Sequence, residues 1–416
     1  MVAWRINMKI IEGKYTQAKV FTNVIEESAC EQIKLLCSQT FAKDARVRIM
    51  PDVHSGRGCV IGFTADLGET VIPNIVGVDI GCGMLTVELG KIGFEPERLD
   101  KIIREFVPSG MRVHEGRQVR FPELEELYCY RELKDTRRLE RSIGTLGGGN
   151  HFIEVDEDEN KDKYLVIHTG SRNLGTQVAR IYQTLAVDIL SGKDKFFDAR
   201  DQLIAEYKAA GRRNEIAAEL KKLKKDFEAK VPPVPNELCY LTGKYRERYL
   251  HDMAICQRYA ELNRLTIAEI IIKKMWGDRL KDYSFFETVH NYIDLENNII
   301  RKGAVSAKEG EKLLIPINMR DGSLICIGKG NPDWNFSAPH GAGRLFSRAE
   351  AKNRFTVSEF KKQMAGIYTT SVSSDTLDEC PMTYKSMEDI TENIGDTAEI
   401  VRVIKPIYNY KDGKDD

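Results

Sequence analysis

Short β-type segments separated by glycine-rich turns run through most of this 416-residue chain, and this pattern constrains its fold most strongly. Residues 59–89 are rich in Gly, Val and Ile and have few long charged side chains, which is typical of buried strands joined by tight turns. A β-branched strand pattern recurs in YLVIHTGSR and again in FFETVHNYIDLENNIIRKGAVSA. The pattern predicts a β-rich core.

One long helical stretch interrupts the β pattern. Residues 198–230 are dense in Ala, Glu, Lys and Leu, and the run EIAAELKKLKKDFEAKV has apolar positions at helical spacing before PPVP ends it. A second helical pattern covers about residues 245–276. We therefore predict an inserted helical hairpin at about residues 198–276, in which the basic run LKKLKK is a solvated face.

Shorter patterns predict further elements around this core. Residues 26–38, 99–106 and 176–190 place apolar side chains near helical spacing. Residues 46–49 alternate charged and apolar side chains and lead into MPDVHSGRG, so we expect a strand that runs into a glycine-rich loop. Loops at strand ends often carry functional residues.

The composition excludes several classes of protein. With 42% hydrophobic and 30% charged residues the chain is of the globular type, and no segment is long and apolar enough to predict a membrane helix. Nine cysteines without paired spacing predict reduced thiols and a cytoplasmic protein. A net charge of −1 gives no general attraction to a polyanion, so RNA binding would need a local basic patch.

Histidines are few and are concentrated in short motifs. Five of the seven lie in short motifs that contain Gly, Asp or Asn: His54 in PDVHSG, His151 in GGGNHF, His168 in VIHTGSR, His290 in TVHNY and His340 in SAPHGAGR. A single histidine of this kind is more often structural than functional. Five together favour a functional cluster.

The motif GVDIGCG adds a carboxylate and a thiolate. Asp79 and Cys82 are three residues apart among glycines, so a tight turn could direct both toward one point. With three of the histidines they would be enough for two metal ions if the sulfur bridges them. Ligand chemistry alone favours zinc, and the structural alternatives are a small buried thiol and a turn-forming aspartate.

Neither common nucleotide-binding motif is present. The segment GTLGGGN lacks the Lys and Ser/Thr of a P-loop and does not match a dinucleotide fingerprint. The segment HGAGRLFSR could replace them, because its glycines allow close backbone approach and Arg344 and Arg348 lie four apart on a helix predicted to begin just after His340. A neutral imidazole there could attack a metal-polarised phosphorus. The alternative is a capped helix with two surface arginines.

Several motifs occur together in one order. MPDVHSGRG, GVDIGCGM, GTLGGGNHFIE, HTGSRNLG, HNY, RKGAVSA, HGAGR with SR, and PMTYK closely resemble the RtcB-type family of RNA ligases and span residues 50–385. The resemblance implies an α+β fold, with residues 1–416 forming one catalytic domain that has a mixed β-sheet core and the helical insertion. It also implies manganese rather than zinc.

The resemblance further implies an activity and its cofactors. An RNA 2′,3′-cyclic phosphate or 3′-phosphate end would be joined to a 5′-hydroxyl end with GTP and two Mn²⁺ ions, in RNA repair or tRNA splicing. A cyclic phosphate would first be hydrolysed, His340 would attack GTP, GMP would pass to the 3′-phosphate, and the 5′-hydroxyl would displace it. An activating helper protein is compatible with this scheme.

The resemblance carries over to individual residues. Asp79, Cys82, His151, His168 and His290 would hold the two Mn²⁺ ions with Cys82 bridging, His340 would be guanylylated, and Asp52 would assist that step. Asn150 would contact the phosphate, Glu154 would read the guanine edge, and Tyr384 would pack on the base. The implied nucleotide-binding residues are Asn150, His151, Phe152, Ile153, Glu154, His290, Asn291, Pro316, Asn318, Met319, Ser323, His340, Gly341, Ala342, Gly343, Tyr384 and Lys411. The implied RNA contacts are Arg172, Arg344 and Arg348.

Two departures from the family pattern keep other functions open. Where the family commonly has Gly-Ser-Met-Gly, this chain reads Ile317, Asn318, Met319, Arg320, and the tail DGKDD follows Lys411. A metal-dependent cyclic phosphodiesterase or hydrolase without sealing activity is therefore an alternative. An RNA-binding accessory protein without catalysis is a further one, although all the metal ligands are present.

Overall fold

The computed structural model describes residues 8–225 and 231–412 and arranges their strands in three sheets. The strands are β1 (Lys9–Glu12), β2 (Gln17–Val20), β3 (Val47–His54), β4 (Ile61–Ala65), β5 (Gly83–Gly90), β6 (Phe152–Glu157), β7 (Lys163–Thr169), β8 (Ser284–Val289), β9 (Asn291–Asp294), β10 (Ile299–Lys302), β11 (Ala304–Ser306), β12 (Lys312–Asn318), β13 (Gly322–Gly328), β14 (Ser337–Pro339), β15 (Tyr368–Thr369) and β16 (Ala398–Tyr410). The α-helices are α1 (Glu27–Cys37), α2 (Pro73–Val76), α3 (Pro96–Phe106), α4 (Thr136–Ser142), α5 (Arg172–Asp188), α6 (Asp194–Ala209), α7 (Ile216–Lys225), α8 (Gly243–Met275), α9 (Arg348–Arg354), α10 (Val357–Gln363) and α11 (Met387–Thr391). The predicted α+β class with a mixed sheet core is confirmed.

The largest sheet joins distant parts of the chain. Its order is β12-β13-β16-β6-β7-β5-β8, all neighbours in that order being antiparallel, and β15 pairs in parallel with β16. Alternate residues of the central strands face one core, as Ile153, Leu165 and Leu85 show. Because side chains of a strand alternate between its faces, this pattern buries one whole face against helices.

A second sheet of six strands has the order β1-β2-β3-β4-β10-β9. Only β2 and β3 are parallel in it. The strand predicted at residues 46–49 is β3, which extends to His54 and is buried over nearly its whole length. Strands β11 and β14 form a short antiparallel pair, in which Ala304 lies opposite Pro339 immediately before His340.

The helix α8 covers the second arm of the predicted insertion and lies at the centre of the fold. It packs against α3, α5, β5 and β7 and buries Ile255, Tyr259, Ile267 and Ile271, whereas α7 buries none of its described side chains. The two shorter helices α6 and α7 pack on each other. The predicted second arm therefore belongs to the core, because its apolar face is wide enough to cover the sheet. The end of the predicted first arm, residues 226–230, lies outside the described residues.

The helices predicted at residues 26–38, 99–106 and 176–190 are confirmed as α1, α3 and α5. The helix predicted just after His340 is wrong, since the chain stays non-helical until Ser347 caps α9 by accepting from the amide of Glu350. Gly343 has a φ of +77°, which ends any regular run there. No helix of the described residues has the length and apolar character needed to cross a membrane.

Candidate active site

Four neighbouring strands bring the metal-ligand candidates to one end of the large sheet. In the antiparallel order β6-β7-β5-β8, the start of one strand lies beside the end of the next. His168 in β7 lies opposite Phe152 of β6, so His151, one residue earlier, is beside it. The backbone amide of His290, just after β8, donates to the carbonyl of Cys82 at 3.0 Å. Register alone therefore gathers the three histidines and the thiol.

A turn completes the cluster with Asp79. The amide of Cys82 donates to the carbonyl of Asp79 at 3.2 Å, and Gly81 between them has a φ of +74° that favours glycine. A side chain at Gly81 would also approach α8 closely, since its Cβ would lie 2.9 Å from the Cα of Gln257. The tight turn predicted from GVDIGCG is thus present.

The donor atoms form two groups that share one sulfur. Cys82 Sγ lies 3.3 Å from Nε2 of His168 and 3.6 Å from Nε2 of His151. His151 Nε2 lies 3.0 Å from Oδ2 of Asp79, and His168 Nε2 lies 3.5 Å from Nε2 of His290. One group is Cys82, His168 and His290, and the other is Asp79, Cys82 and His151, with the donor atoms of each within 4.8 Å of one another.

These groups fit two divalent cations. The second carboxylate oxygen of Asp79 is buried and finds no hydrogen-bond partner among the described residues, as expected of a group that a cation would satisfy. Nδ1 of His168 is 3.1 Å from the carbonyl of Asn150, so Nδ1 carries the proton and Nε2 presents its lone pair. Burial also lowers the pKa of His168 and of His290 well below the usual value, which keeps both imidazoles neutral.

His340 lies beside this cluster and is held by Asp52. The imidazole Nδ1 and the backbone amide of His340 both donate to Oδ2 of Asp52, at 2.6 Å and 3.0 Å. The ring of His340 is 4.9 Å from the ring of His290, measured between centroids. Asp52 comes from β3 in the other sheet and is fully buried. The site is therefore assembled between the two large sheets.

Two glycines allow the contact between His340 and Asp52. A Cβ on Gly343 would lie 2.2 Å from the carbonyl oxygen of Asp52, and one on Gly303 would lie 3.2 Å from Cε1 of His340. The first distance is far below van der Waals contact, so a side chain there would displace β3. Gly343 of HGAGR and Gly303 of RKGAVSA thus permit close packing around the imidazole.

A cavity of about 520 Å³ joins the metal-ligand cluster, His340 and most of the predicted nucleotide-binding residues. The residues predicted to take part that line it are Asp79, Cys82, Asn150, Phe152, Glu154, His168, His290, Asn291, Pro316, Asn318, Met319, His340, Gly341, Ala342, Gly343, Arg344, Arg348, Tyr384 and Lys411. They come from both large sheets and from the loops between residues 340 and 385.

One end of the cavity carries two buried carboxylates. Glu154 Oε1 accepts from the amide nitrogen of Asn409 at 2.6 Å, and burial raises the pKa of Glu154 to about 7 against the opposing effects of Asn409 and Lys411. Glu379 accepts from Lys411 at 2.7 Å and from the hydroxyl of Tyr384 at 2.6 Å. This end of the cavity therefore offers hydrogen-bond acceptors on Glu154 and Glu379 and a donor on Lys411. Such a set suits the polar edge of a base.

Glu379 also receives the two arginines of the HGAGRLFSR segment. Arg344 and Arg348 approach Glu379 Oε1 at 3.2 Å and 3.0 Å, and Arg348 pairs with Asp378 at 2.6 Å. Burial would raise the pKa of Glu379, but Lys411 and the two arginines outweigh it and hold the value at about 2. Both arginines are thus tied to carboxylates.

Five predicted residues are not among those that line the cavity: Asp52 and His151, whose contacts are described above, and Ile153, Ser323 and Arg172. Ile153 is fully buried in the helix-facing core, and Ser323 is fully buried in β13. Arg172 is 6% exposed and donates to Thr145 Oγ1 and to the carbonyl of Gly110, each at 3.0 Å. The turn after β7 gives Arg172 a φ of +55° and directs its guanidinium into the protein.

Other lining residues were not predicted as site residues from the sequence. They include Glu379, Asn409, Arg57, Arg180 and Lys302. Glu379 could have been found from LDECPMTYK, since it lies two residues before the PMTYK motif already singled out. Arg180 and Asn409 lie in regular elements with no local signal, and only the fold places them at the cavity.

Comparisons with known proteins agree with this geometry. A family model described as tRNA-splicing ligase RtcB matches residues 36–132 and 128–412. The chain is 26% identical to the RNA-splicing ligase RtcB of Escherichia coli, over 98% of this chain and 100% of that protein. It is 25% identical to the tRNA-splicing ligase RtcB of Methanococcus maripaludis, over 97% and 95% respectively. The family match and the near-complete coverage show that the chain belongs to the RtcB family.

Proposed function

We propose that this protein is a GTP- and Mn²⁺-dependent RNA ligase that joins 2′,3′-cyclic phosphate or 3′-phosphate ends to 5′-hydroxyl ends through a guanylylated His340. The observation that carries the proposal is the position of the His340 imidazole, which is fixed by Asp52 and faces the same cavity as the two metal-ligand groups. The relatives named as RNA-splicing and tRNA-splicing ligases support the RNA substrate.

His340 is suited to nucleophilic attack at phosphorus. Because Nδ1–H donates to Asp52, Nε2 carries the lone pair and needs no prior deprotonation. Attack on the α-phosphorus of GTP would form the N–P bond and release pyrophosphate. The ring would gain positive charge in that step, and the buried carboxylate of Asp52 would stabilise it.

The remaining residues bind and orient. Glu154 would accept from the donor edge of guanine, Lys411 would donate to its carbonyl, and Tyr384 would pack on the ring. Asp79, Cys82, His151, His168 and His290 would hold two Mn²⁺ ions, which neutralise charge that develops on phosphoryl oxygens. The nucleotide base and the reacting phosphorus would then lie at two ends of one cavity.

RNA would enter after guanylylation. A 3′-phosphate oxygen would attack the phosphorus on His340, which breaks the N–P bond and returns the imidazole. The 5′-hydroxyl would then attack the activated 3′-phosphate and release GMP, forming the phosphodiester. A cyclic phosphate would first be opened to the 3′-phosphate.

Intact-mass measurement tests the covalent step directly. Incubation with GTP and Mn²⁺ should add the mass of one GMP to the protein, with an adduct that is labile in acid and stable in alkali. The variant His340→Ala should not gain this mass, whereas the matched control His251→Ala, which alters a histidine that does not line the cavity, should. An adduct that persists in His340→Ala would refute the assignment.

A hydrolase without sealing activity is a second candidate. The side chain of Asn318 is occupied in its own turn, since Oδ1 accepts from the amides of Arg320 and Asp321 at 3.0 Å each. Because Nδ2 of Asn318 also donates to Asp321 at 2.8 Å, this side chain offers a nucleotide fewer free hydrogen-bond donors. Product analysis on a broken tRNA or rRNA stem-loop decides between the two: sealed RNA that requires GTP and a 3′-phosphate excludes the hydrolase.

The proposal extends to the cellular role. Broken RNA that needs repair and tRNA that has been cut for splicing would both carry the required ends. An activating helper protein would act on the guanylylation step. A cytoplasmic location is part of the proposal, and all nine cysteines being free thiols fits a reducing compartment.

A further inference from the structure

The cations that line the cavity fall into two groups. Arg344, Arg348 and Lys411 are already neutralised by Glu379 or its neighbour Asp378. Arg57 and Arg180 are exposed, and among the described residues neither guanidinium has a carboxylate within ion-pair distance or a hydrogen-bond acceptor. Arg57 and Arg180 therefore contribute to the wall of one cavity guanidinium donors that no residue within 8–225 or 231–412 accepts from.

The loop that carries Arg57 is held firmly although its side chain is free. Gln32 bonds the loop on both sides of Gly56, donating to its carbonyl at 2.9 Å and accepting from its amide at 3.1 Å. Lys302 donates to the carbonyl of Arg57 itself. Gly58, with a φ of +79°, packs so closely that a Cβ would lie 3.0 Å from Asn74. The guanidinium is therefore presented from a rigid backbone, which reduces the entropy lost on binding.

Lys302 adds a third positive charge to this wall. It is 3% exposed and lines the cavity, and its ammonium uses two donors on the carbonyls of Arg57 and Cys59. Burial lowers its pKa to about 8, partly offset by nearby charges that include Glu237. Its neighbour Gly303 lies beside the imidazole of His340. The wall is thus adjacent to the reacting centre.

We propose that Arg57 and Arg180, supported by Lys302, form a subsite for backbone phosphates of the RNA substrate next to His340. The proposal rests on the proposed ligase function and specifies where its polyanionic substrate binds. Guanidinium groups match phosphate oxygens with paired hydrogen bonds, and each phosphate bound releases counterions from the RNA. The wall supplies the local basic patch that a protein of net charge −1 needs.

The same chemistry could bind the β- and γ-phosphates of GTP instead. RNA is favoured because GMP still occupies the cavity when RNA arrives. The base would then lie at the end of the cavity lined by Glu154 and Lys411. The described cations at that end are already paired with carboxylates. Incoming RNA needs donors outside that end.

The test compares Arg57→Ala/Arg180→Ala with a charge-matched control. Arg120→Ala/Arg137→Ala removes the same two charges from exposed arginines that do not line the cavity. The probe is a short single-stranded oligoribonucleotide with a 3′-phosphate, bound to full-length protein with Mn²⁺ and titrated at several salt concentrations. We expect affinity to fall on the order of tenfold for each arginine removed, and the slope of log K against log salt to decrease by about 1.4 for two contacts. The control should change neither.

Guanylylation separates the possible outcomes. If the subsite serves RNA, Arg57→Ala/Arg180→Ala should form the His340 adduct with unchanged dependence on GTP concentration while sealing declines. A raised GTP requirement with unchanged RNA binding would assign these arginines to the triphosphate and overturn the proposal. RNA binding with the affinity and salt dependence of the unaltered protein would also overturn it. Failure of the unaltered protein to guanylylate would refute the ligase function, while the binding comparison would still stand.

Discussion

Nδ1 of His340 lies 2.6 Å from Oδ2 of Asp52, and the same oxygen accepts the backbone amide of His340 at 3.0 Å. One buried carboxylate thus sets both the ring orientation and the tautomer of the proposed nucleophile. Asp52 is contributed by β3, which lies in a different sheet from the strands that carry the metal ligands. The reacting centre therefore depends on how the two sheets pack together.

Replacing Asp52 should slow guanylylation without abolishing metal binding. In Asp52→Asn the side-chain amide can donate to Nδ1 and favour the tautomer that protonates Nε2, which blocks attack. We expect the rate of GMP-adduct formation to fall by about 10²-fold or more, as for other partners that orient a catalytic imidazole. Rates are measured by intact mass against Asp375→Asn, which alters an exposed aspartate outside the cavity. Equal rates in the two variants would contradict this role.

Because the sulfur of Cys82 is shared by both ligand groups, we predict that substitutions of different ligands will remove different numbers of metal ions. Cys82 belongs to both ligand groups, whereas Asp79 belongs to one and His290 to the other. We expect elemental analysis after equilibration with Mn²⁺ to find about two ions in the unaltered protein, about one in Asp79→Ala or His290→Ala, and few in Cys82→Ala. Cys326→Ala, a buried thiol in β13, should retain both. Loss of only one ion in Cys82→Ala would exclude a bridging thiolate.

Glu379 should be important for stability because its carboxylate contacts three cationic side chains and the hydroxyl of one tyrosine. Its side chain is 2% exposed, and Glu379→Gln would leave Lys411 and Arg344 without their buried counter-charge. We expect the free energy of unfolding at pH 7 to fall by about 3–5 kcal/mol, as when one partner of a buried ion pair is removed. Urea denaturation measures this against Glu392→Gln, an exposed residue.

The effect of Glu379 should depend on pH in a defined window. Its pKa in the folded protein is about 2, against 4.5 for an ordinary glutamate, so the ionised form stabilises the fold fully above about pH 4.5. This contribution, about 3 kcal/mol, is lost as pH falls through about 2. The stability difference between the unaltered protein and Glu379→Gln should therefore shrink across this range. A difference independent of pH would show that packing rather than charge is responsible.

Glu154 should link GTP use to pH. Burial raises its pKa to about 7, so the carboxylate proposed to accept from guanine forms only as pH rises through that value. The GTP concentration needed for half-maximal guanylylation should fall between about pH 6 and pH 8. In Glu154→Gln this dependence should disappear, with about tenfold to hundredfold weaker use of GTP because one charge-assisted acceptor is lost. ATP serves as the matched substrate, and its use should change little.

Local sequence determined much of the architecture. Residues 26–38 and 99–106 have a helical period and form helices, and the β-branched segments around His168 and His290 form strands. The same reasoning failed after His340, where a helix was expected to begin at once although α9 begins only at Arg348. Gly343 allows close approach to Asp52 in β3 and Gly341 allows close approach to Pro316 in β12, and the helix begins only after the cap at Ser347. Residue spacing alone could not distinguish glycines that allow close packing from glycines that precede a helix.

The sequence by itself determined the chemical types present: a carboxylate and a thiolate in one turn, histidines at strand ends, and a glycine-flanked histidine able to attack phosphorus. Only the tertiary structure decided which charges remain available. Arg344 and Arg348 are neutralised by Glu379 and Asp378, and Arg172 points into the protein. Arg57 and Arg180 line the cavity without an ion-pair partner in the part of the chain that the structure describes. Ion pairing depends on distances between side chains far apart in sequence, and those distances are set by how the sheets and loops pack rather than by local pattern.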